Sequence, residues 1–140
     1  MDISTHIIEL KTEGYTQMLD ISDEVRAILR VSPLQEGQAC VFGIGSTTGI
    51  TTVEYEPGLA QKDVKEMLEE MAPYRKNYAH NQTWGDDNEN SHLRSFMVGT
   101  SFNVPFVKGE LVLGMWQQIV FVDFDTRPRE RKVVVQLMGK

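Results

Sequence analysis

Alternating apolar and polar positions, and short runs that are apolar throughout, predict a chain rich in β-strands. The run from Ala39 to Ile44 is apolar on both faces, which is typical of a strand in the middle of a sheet. Turns rich in glycine and polar residues separate these stretches. The strands predicted in this way are residues 4–11, 15–20, 39–44, 50–55, 101–107, 111–124 and 132–138.

Three segments instead repeat apolar residues at helical spacing. Ser22 can cap the first helix, which Pro33 ends, and Pro73 ends the second; the third begins near Asn90 and stops at Gly99. The side chains predicted to face the core are Ile21, Val25, Ile28 and Leu29, then Ala60, Val64, Met67, Leu68 and Met71, and finally Leu93, Phe96 and Met97. Because strands and helices do not alternate regularly, the order predicts a single α+β domain over residues 1–140.

Composition narrows the class of protein. The 140 residues are 41% hydrophobic and 24% charged, as in an ordinary folded domain. A net charge of −6 argues against binding to nucleic acid, and no apolar run is long enough to cross a membrane. The single Cys40 excludes an internal disulfide and is expected to be a small core residue rather than a nucleophile. We therefore expect a cytoplasmic protein.

The polar segment from Tyr78 to His92 gathers most of the unusual chemistry. It contains His80 and His92, two of only three histidines, with several acids and amides between them. Two imidazoles bracketing carboxylates can bind a metal or transfer protons, but the same composition suits an ordinary surface loop. Trp84 in this segment could stack on a planar ring or anchor the loop to the body of the protein.

Other candidate residues also have two interpretations. Asp86 could hold magnesium on a diphosphate or belong to a turn that precedes a helix. Residues 45–49 could surround a phosphate with hydroxyls and amides, or form a polar tight turn. The arginines of residues 127–131 could bind an anion, or they could be solvated or paired across a subunit contact. Glu54, on a half-apolar strand, could protect a sheet edge or belong to a site.

An ordered set of motifs resembles the YjbQ family over nearly the whole chain. These motifs are Ser46-Thr47-Thr48-Gly49-Ile50-Thr51-Thr52-Val53-Glu54, Tyr78-Ala79-His80, Asp86-Asp87, Ser91-His92-Leu93, Gly99-Thr100-Ser101, Val104-Pro105, Lys108-Gly109, Leu113-Gly114-Met115-Trp116-Gln117 and Arg131. The resemblance implies an α+β fold with a seven-stranded β-sandwich, helices on one side, and assembly as a homotrimer.

The resemblance also implies a function and a site. Better-studied relatives are assigned a secondary thiamine-phosphate synthase activity, in which a pyrimidine diphosphate and a thiazole phosphate are joined with release of pyrophosphate. The implied site lies between subunits. Its catalytic residues would be His80, His92 and Glu54; a small phosphorylated metabolite would be bound by Ser46, Thr47, Thr48, Asp86 and Arg131.

A divalent metal, zinc or magnesium, is the cofactor that the resemblance implies, with His80 and His92 as its ligands. Many relatives carry histidine where this chain has Ser46, and a serine is a poor substitute for an imidazole ligand. Two alternatives to the transferase therefore remain open. One is a non-catalytic trimeric protein that binds a metal or a small anion, and the other is a hydrolase that cleaves phosphoesters with metal assistance.

Overall fold

A computed structural model describes all 140 residues as two antiparallel β-sheets and four helices, which confirms the α+β class. The strands are β1 (Asp2–Thr12), β2 (Gln17–Asp20), β3 (Glu36–Gly43), β4 (Thr48–Val53), β5 (Ser101–Val107), β6 (Glu110–Leu111), β7 (Gln118–Asp123) and β8 (Arg129–Gly139). The helices are α1 (Ser22–Val31), α2 (Val64–Met71), α3 (Ala79–Trp84) and α4 (Glu89–Val98), with a π-helical turn, Leu59–Asp63, before α2. None of these helices has the length and hydrophobicity of a membrane-spanning segment.

The larger sheet has the strand order β1-β8-β3-β5-β6 and the smaller one β2-β7-β4. β3 lies between two neighbours, as its apolar run predicts. β1 and β2 enter different sheets, because Gly14, Tyr15 and Thr16 all have positive φ and turn the chain sharply. The strand predicted to begin at residue 15 therefore begins at Gln17.

The two sheets pack face to face, and β7 is buried on both faces. One side of β7, with Ile119 and Phe121, joins the core between the sheets, to which α1 contributes Val25 and Leu29. The other side, with Val120 and Val122, packs against α2. α1 and α2 thus cover opposite faces of the smaller sheet, so the expectation of helices on one side is wrong. The fold has eight strands rather than seven, because residues 112–117 interrupt the predicted strand 111–124.

Helix α4 buries its polar face and exposes its apolar face, the opposite of the prediction. Phe96 is 89% exposed, and Leu93 and Met97 are also exposed, whereas all three were expected to face the core. The buried face of α4 is polar and consists of Glu89, Asn90, Ser91, Arg94 and Ser95. The 3.6-residue period was recognised correctly, but the apolar stripe lies on the surface.

The body of the protein supplies hydrogen-bond partners to Arg94 and Ser91 on the polar face of α4, whereas the buried side chains of Glu89 and Asn90 have none within the chain. Arg94 donates to Ala72 O through Nε at 3.0 Å, to Thr16 Oγ1 through Nη1 at 2.8 Å and to the Glu69 carboxylate through Nη2 at 2.7 Å. Ser91 donates to the carbonyl of Phe124. A buried guanidinium is stable only when it is paired in this way.

Several other expected core positions are also exposed. Met67 and Met71 on α2 face outward, and only Leu68 of that helix is buried. Cys40 is partly exposed on the outer face of the larger sheet, so its expected core position is wrong. The same outer face carries Ile3 and Ile7. The protein therefore presents more apolar surface than its sequence pattern predicts.

Candidate functional site

The two histidines of the polar segment lie next to each other. His80 is in the first turn of α3, and α3 ends where Gly85 adopts a left-handed conformation with φ 67°. A short connection then leads to α4, which carries His92. The ring centroids are 4.8 Å apart with an angle of 64° between the planes, an edge-to-face contact. The segment predicted as a loop thus consists of helix α3, a short connection and the start of α4, and it brings the two imidazoles together.

Asp86 provides a carboxylate beside this pair. Its Oδ1 lies 3.3 Å from His80 Nε2 at ion-pair distance, although the alignment leaves Nε2 without a hydrogen-bond partner in the protein. With its amide nitrogen turned toward Asp86, Asn88 donates to both carboxylate oxygens at 3.1 and 3.2 Å. The carboxylate is therefore held in place beside a buried imidazole nitrogen that has no hydrogen-bond partner within the chain.

Close packing of α4 against β4 sets the position of His92. Gly49 faces Val98, and a Cβ on Gly49 would lie 2.8 Å from Val98 Cγ1, so only glycine permits this approach. The Ile50 N–H donates to Gly99 O at 3.0 Å just beyond the helix. These contacts bring α4 beside the turn that precedes β4.

His92 and Ser46 line one shallow pocket of about 380 Å³ between α4 and this turn. Gly45 and the exposed Phe96 ring also border the pocket. Ser46 is the exposed hydroxyl of the Ser46-Thr47-Thr48 motif, since Thr47 and Thr48 are buried. A small ligand in the pocket can therefore reach an imidazole on one side and a serine hydroxyl on the other.

Arg131 lies behind the same turn in a buried network. Its Nε and Nη2 donate to the two carboxylate oxygens of Asp123 at 2.7 and 3.0 Å, and Nη2 also donates to Thr47 Oγ1 at 2.7 Å. Asp123 is fully buried and also accepts hydrogen bonds from the Thr12 hydroxyl and the Asp125 N–H. The bidentate pair gives the guanidinium a single orientation.

Asp125 adds a second buried carboxylate to the network. Burial alone would raise its pKa, but a hydrogen bond from the Thr126 N–H, the charge of Arg129 and the Thr47 hydroxyl together lower the pKa below its ordinary value. Asp125 therefore remains ionised at neutral pH and balances Arg129, which lies 3.0 Å away. Arg129 and Arg131, predicted in a hairpin loop, are the first residues on the inner side of β8.

Glu54 is not beside the histidines within one chain. It is exposed and follows Val53, the last residue of β4, whereas the histidine pocket adjoins the turn before Thr48 at the other end of that strand. Six residues of extended chain span about 20 Å. Trp84, at the end of α3, is 74% exposed and does not anchor the segment to the body of the protein.

The prediction of site residues from sequence did not include Asp123. This residue holds Arg131 in place, yet in the sequence it only ends an apolar run. The available signal was the pair Asp123 and Asp125 at the end of a buried strand, with arginines on the strand that follows. Acids at the end of an apolar strand need cationic partners if the strand is buried.

Two side chains near the histidine pair are of types that bind divalent metals. The free Nε2 of His80 and the Asp86 carboxylate are suitable donors, and neutral imidazole and carboxylate are ordinary zinc ligands. No group of three or more His, Cys, Asp and Glu side chains is arranged to hold a metal within the chain. The metal role of His80 and His92 stays a prediction.

Comparison with known proteins defines the family. The family model described as UPF0047 protein YjbQ-like matches residues 6–140, and the chain belongs to this family. A UPF0047 protein of Methanothermobacter thermautotrophicus is 36% identical over 140 residues, which is 100% of this chain and 95% of that protein. One from Archaeoglobus fulgidus is 36% identical over 131 residues, 94% of this chain and 98% of that protein.

Solved structures of similar proteins have the same fold. A hypothetical protein of Aeropyrum pernix superposes with a TM-score of 0.90 at 33% identity, covering 98% of this chain and 99% of its own. A protein of Sulfolobus solfataricus, described as YbjQ-like and of unknown function, superposes with a TM-score of 0.89 at 28% identity, covering 99% of this chain and all of its own. The two-sheet architecture described above is therefore a property of the family.

Proposed function

We propose that the chain binds a small phosphorylated metabolite at the pocket of His92 and Ser46, with His80 in contact with His92, and acts as a transferase of the thiamine-phosphate synthase type. The observation that carries this proposal is the contact between the two imidazoles, 4.8 Å apart, with His92 facing Ser46 across one pocket. Arg131 lies directly behind the turn that bears Ser46. This arrangement places proton donors and a cation beside one small cavity.

In the proposed reaction the thiazole nitrogen bonds to the methylene carbon of the pyrimidine. The bond from that carbon to the diphosphate oxygen breaks, and pyrophosphate leaves. The enzyme must hold two rings in line and stabilise charge on the departing oxygens. His80 and His92 are suited to protonate or hydrogen-bond those oxygens, while the Ser46 hydroxyl and Arg131 bind phosphate.

Asp86 and Glu54 have separate proposed roles. Asp86 holds His80 in place. The predicted divalent ion, which would neutralise the diphosphate, would need ligands from the substrate or from another copy of the chain, because the side chains of one chain do not form a complete metal group. Glu54 can reach the pocket only from another copy of the chain, because its own β4 carries it away. A site completed by a partner subunit is therefore part of the proposal.

The proposed assembly is a homotrimer with contacts through α4. Leu93, Phe96 and Met97 form an exposed apolar stripe next to the pocket, and an exposed stripe of this kind is typical of a subunit contact. A partner seated on it would cover the mouth of the pocket. A cytoplasmic location stays a prediction, supported by the unpaired thiol of Cys40.

The assembly is tested by placing a charge in this stripe. We expect wild-type protein to have the mass of three chains in light scattering and Phe96→Asp to have the mass of one, because a buried unpaired carboxylate opposes association. Val31→Asp is the matched control, since Val31 is also highly exposed but lies at the end of α1. A wild-type monomer, or a trimeric Phe96→Asp protein, would contradict the proposed contact.

The catalytic proposal is tested by supplying purified protein with the pyrimidine diphosphate, the thiazole phosphate and magnesium. We expect equal amounts of pyrophosphate and thiamine phosphate to form, and neither to form when one precursor is omitted. The same assay is run with zinc in place of magnesium and without added metal, which measures the dependence of turnover on metal. Absence of product under all three conditions would reject the transferase.

A non-catalytic binding protein is the second candidate. It is favoured by the separation of Glu54 from the histidines and by the presence of Ser46 rather than a third imidazole. Saturable binding of phosphate or pyrophosphate without turnover of the precursors would support it. Release of phosphate from a phosphoester in the presence of metal would instead support the hydrolase.

A further inference from the structure

A second cavity lies near the opposite end of β4 from the pocket of His92 and Ser46. Its volume is about 730 Å³, against about 380 Å³ for that pocket, and such a volume is typical of a small-molecule site. Its walls are the turn at Gly14 and Tyr15, strand β2, Tyr55 just beyond β4, and the π-helical turn before α2. Because π-helical turns are frequent at functional sites, this cavity is a candidate for a ligand of its own.

Tyr15 presents an aromatic ring to the cavity. The residue is 56% exposed, and its φ of 54° is unusual for a side chain of this size. Its ring contacts the ring of Tyr74, with centroids 5.4 Å apart, and the Arg94 guanidinium lies 4.2 Å from the centroid of Tyr74. The Tyr74 hydroxyl donates to Phe124 O at 3.1 Å. Tyr15 is therefore supported by a fixed ring and keeps part of its surface free to stack on a ligand.

Tyr55 supplies a second aromatic ring. Its hydroxyl donates to Met18 O at 3.1 Å and its N–H donates to Gln118 Oε1 at 2.9 Å, so the side chain is held against β2. The residue nevertheless remains 43% exposed. Met18 and Ala60, which are buried, also border the cavity and give it an apolar base. Two aromatic rings and an apolar base suit a planar ring.

Lys65 places a positive charge on the wall of the same cavity. It is half-buried on α2 and forms no ion pair, because Glu69, the carboxylate one turn further along the helix, pairs with Arg94 at 2.7 Å. Glu13 is the other charged residue on this wall, but it is exposed, and water and salt screen its charge more strongly. The cavity therefore combines aromatic surfaces with a cation that has no partner.

We propose that this cavity is a second binding site, and that its ligand is a planar aromatic or heteroaromatic ring that carries one anionic group, a carboxylate or a phosphate. The ring stacks on Tyr15 and Tyr55, and the anionic group pairs with Lys65. The site does not depend on the proposed transferase, because it shares no residue with the pocket of His92 and Ser46.

The test measures the binding of 1-naphthoate to purified wild-type protein by titration calorimetry at constant ionic strength. Acetate supplies the charge without the ring, and 1-naphthamide supplies the ring without the charge. We expect one naphthoate to bind per chain, naphthamide to bind about tenfold more weakly, and acetate not to bind measurably. 1-Naphthyl phosphate is compared in the same way, and tighter binding of either anion supports the site and identifies the group that it prefers.

Two variants test the residues of the site. Lys65→Met should weaken naphthoate binding about tenfold and leave naphthamide binding unchanged, because only the charge is removed. Lys62→Met is the matched control, since Lys62 is exposed on the neighbouring π-helical turn and does not border the cavity. Tyr15→Asn removes the ring, and asparagine adopts positive φ more readily than tyrosine. We expect it to weaken the binding of both ring compounds about fivefold.

Three results would overturn the second site: no saturable binding of naphthoate to wild-type protein, equal affinities for naphthoate and naphthamide, or equal affinities of Lys65→Met and Lys62→Met. His92→Ala separates this site from the transferase and should keep wild-type affinity for naphthoate. Loss of naphthoate binding in folded His92→Ala protein would assign the ligand to the other pocket and reject the proposal. Turnover of the two thiamine precursors is measured independently, so either proposal can fail alone.

Discussion

Replacing Asp123 with alanine is expected to destabilise the protein by about 3 kcal/mol, because the change removes the bidentate partner of the buried Arg131 guanidinium and leaves it only the longer contact with Asp125 at 3.5 Å. Asp123 is fully buried, and Arg131 is almost so. The substitution also removes the acceptor of the Thr12 hydroxyl and of the Asp125 N–H. Few single side chains of this protein take part in as many buried polar contacts.

Urea unfolding at a fixed protein concentration measures this effect, since the stability of an oligomer depends on concentration. Asp23→Ala is the matched control. Asp23 also pairs with an arginine, Arg26, at 3.2 Å, but the Asp23 side chain is 97% exposed and that of Arg26 is 39% exposed. We expect the control to keep the wild-type midpoint. Similar midpoints for the two variants would show that the Asp123 network is not a stabilising element.

Replacing His80 or His92 with alanine is expected to lower the kcat of the proposed transferase by about 10² to 10⁴-fold, the usual contribution of a positioned proton donor or acceptor. The imidazoles touch each other, so removal of either one changes the environment of the other. We therefore expect the double variant to lose less than the product of the two single losses. Initial rates of pyrophosphate release at saturating substrate measure these effects.

The third histidine supplies the control for this experiment. His6 lies on β1, where its Nε2 is 3.2 Å from Ser4 Oγ, and it has no contact with the pocket. His6→Ala should keep wild-type kcat. Unchanged turnover in His80→Ala and His92→Ala proteins that remain folded would remove both imidazoles from the mechanism.

The strands were predictable where a local pattern determines them. Residues 101–107 form β5 as predicted, and the apolar run around Val41 is the interior strand β3. The pairing of strands was not predictable, because it depends on the left-handed turn at Tyr15 and Thr16. Gly14 signals a turn, but neither Tyr15 nor Thr16 is a usual choice for positive φ, so the sequence does not show how sharply the chain turns there.

The exposed stripe of α4 shows a second limit of prediction from sequence. A helical period indicates that a helix has two faces, but not which face is buried. Burial of the apolar side is the common outcome in a monomer, and it was the expectation for Phe96. The opposite outcome requires a partner for Arg94, and that partner comes from residues 16, 69 and 72, which are distant in the sequence.

The candidate site was predictable only where local structure determines it, as for the strands. His80 and His92 are joined by a short connection, so local structure alone brings them together. Placement of Ser46 beside His92 needs α4 to pack on β4, which only the complete fold provides. The separation of Glu54 follows from the straight path of β4, because a residue at one end of a strand cannot return to the other.

The polar face of α4 has a consequence for the precision of the pocket. Apolar packing tolerates small rotations of a helix, since methyl groups have no preferred direction of contact. Hydrogen bonds are directional, and a turn of the helix about its axis would break those of Ser91 and Arg94 at once. These hydrogen bonds therefore fix the rotation of α4 about its axis. Because His92 is carried by this helix, its position relative to His80 is fixed more closely than hydrophobic packing alone would fix it.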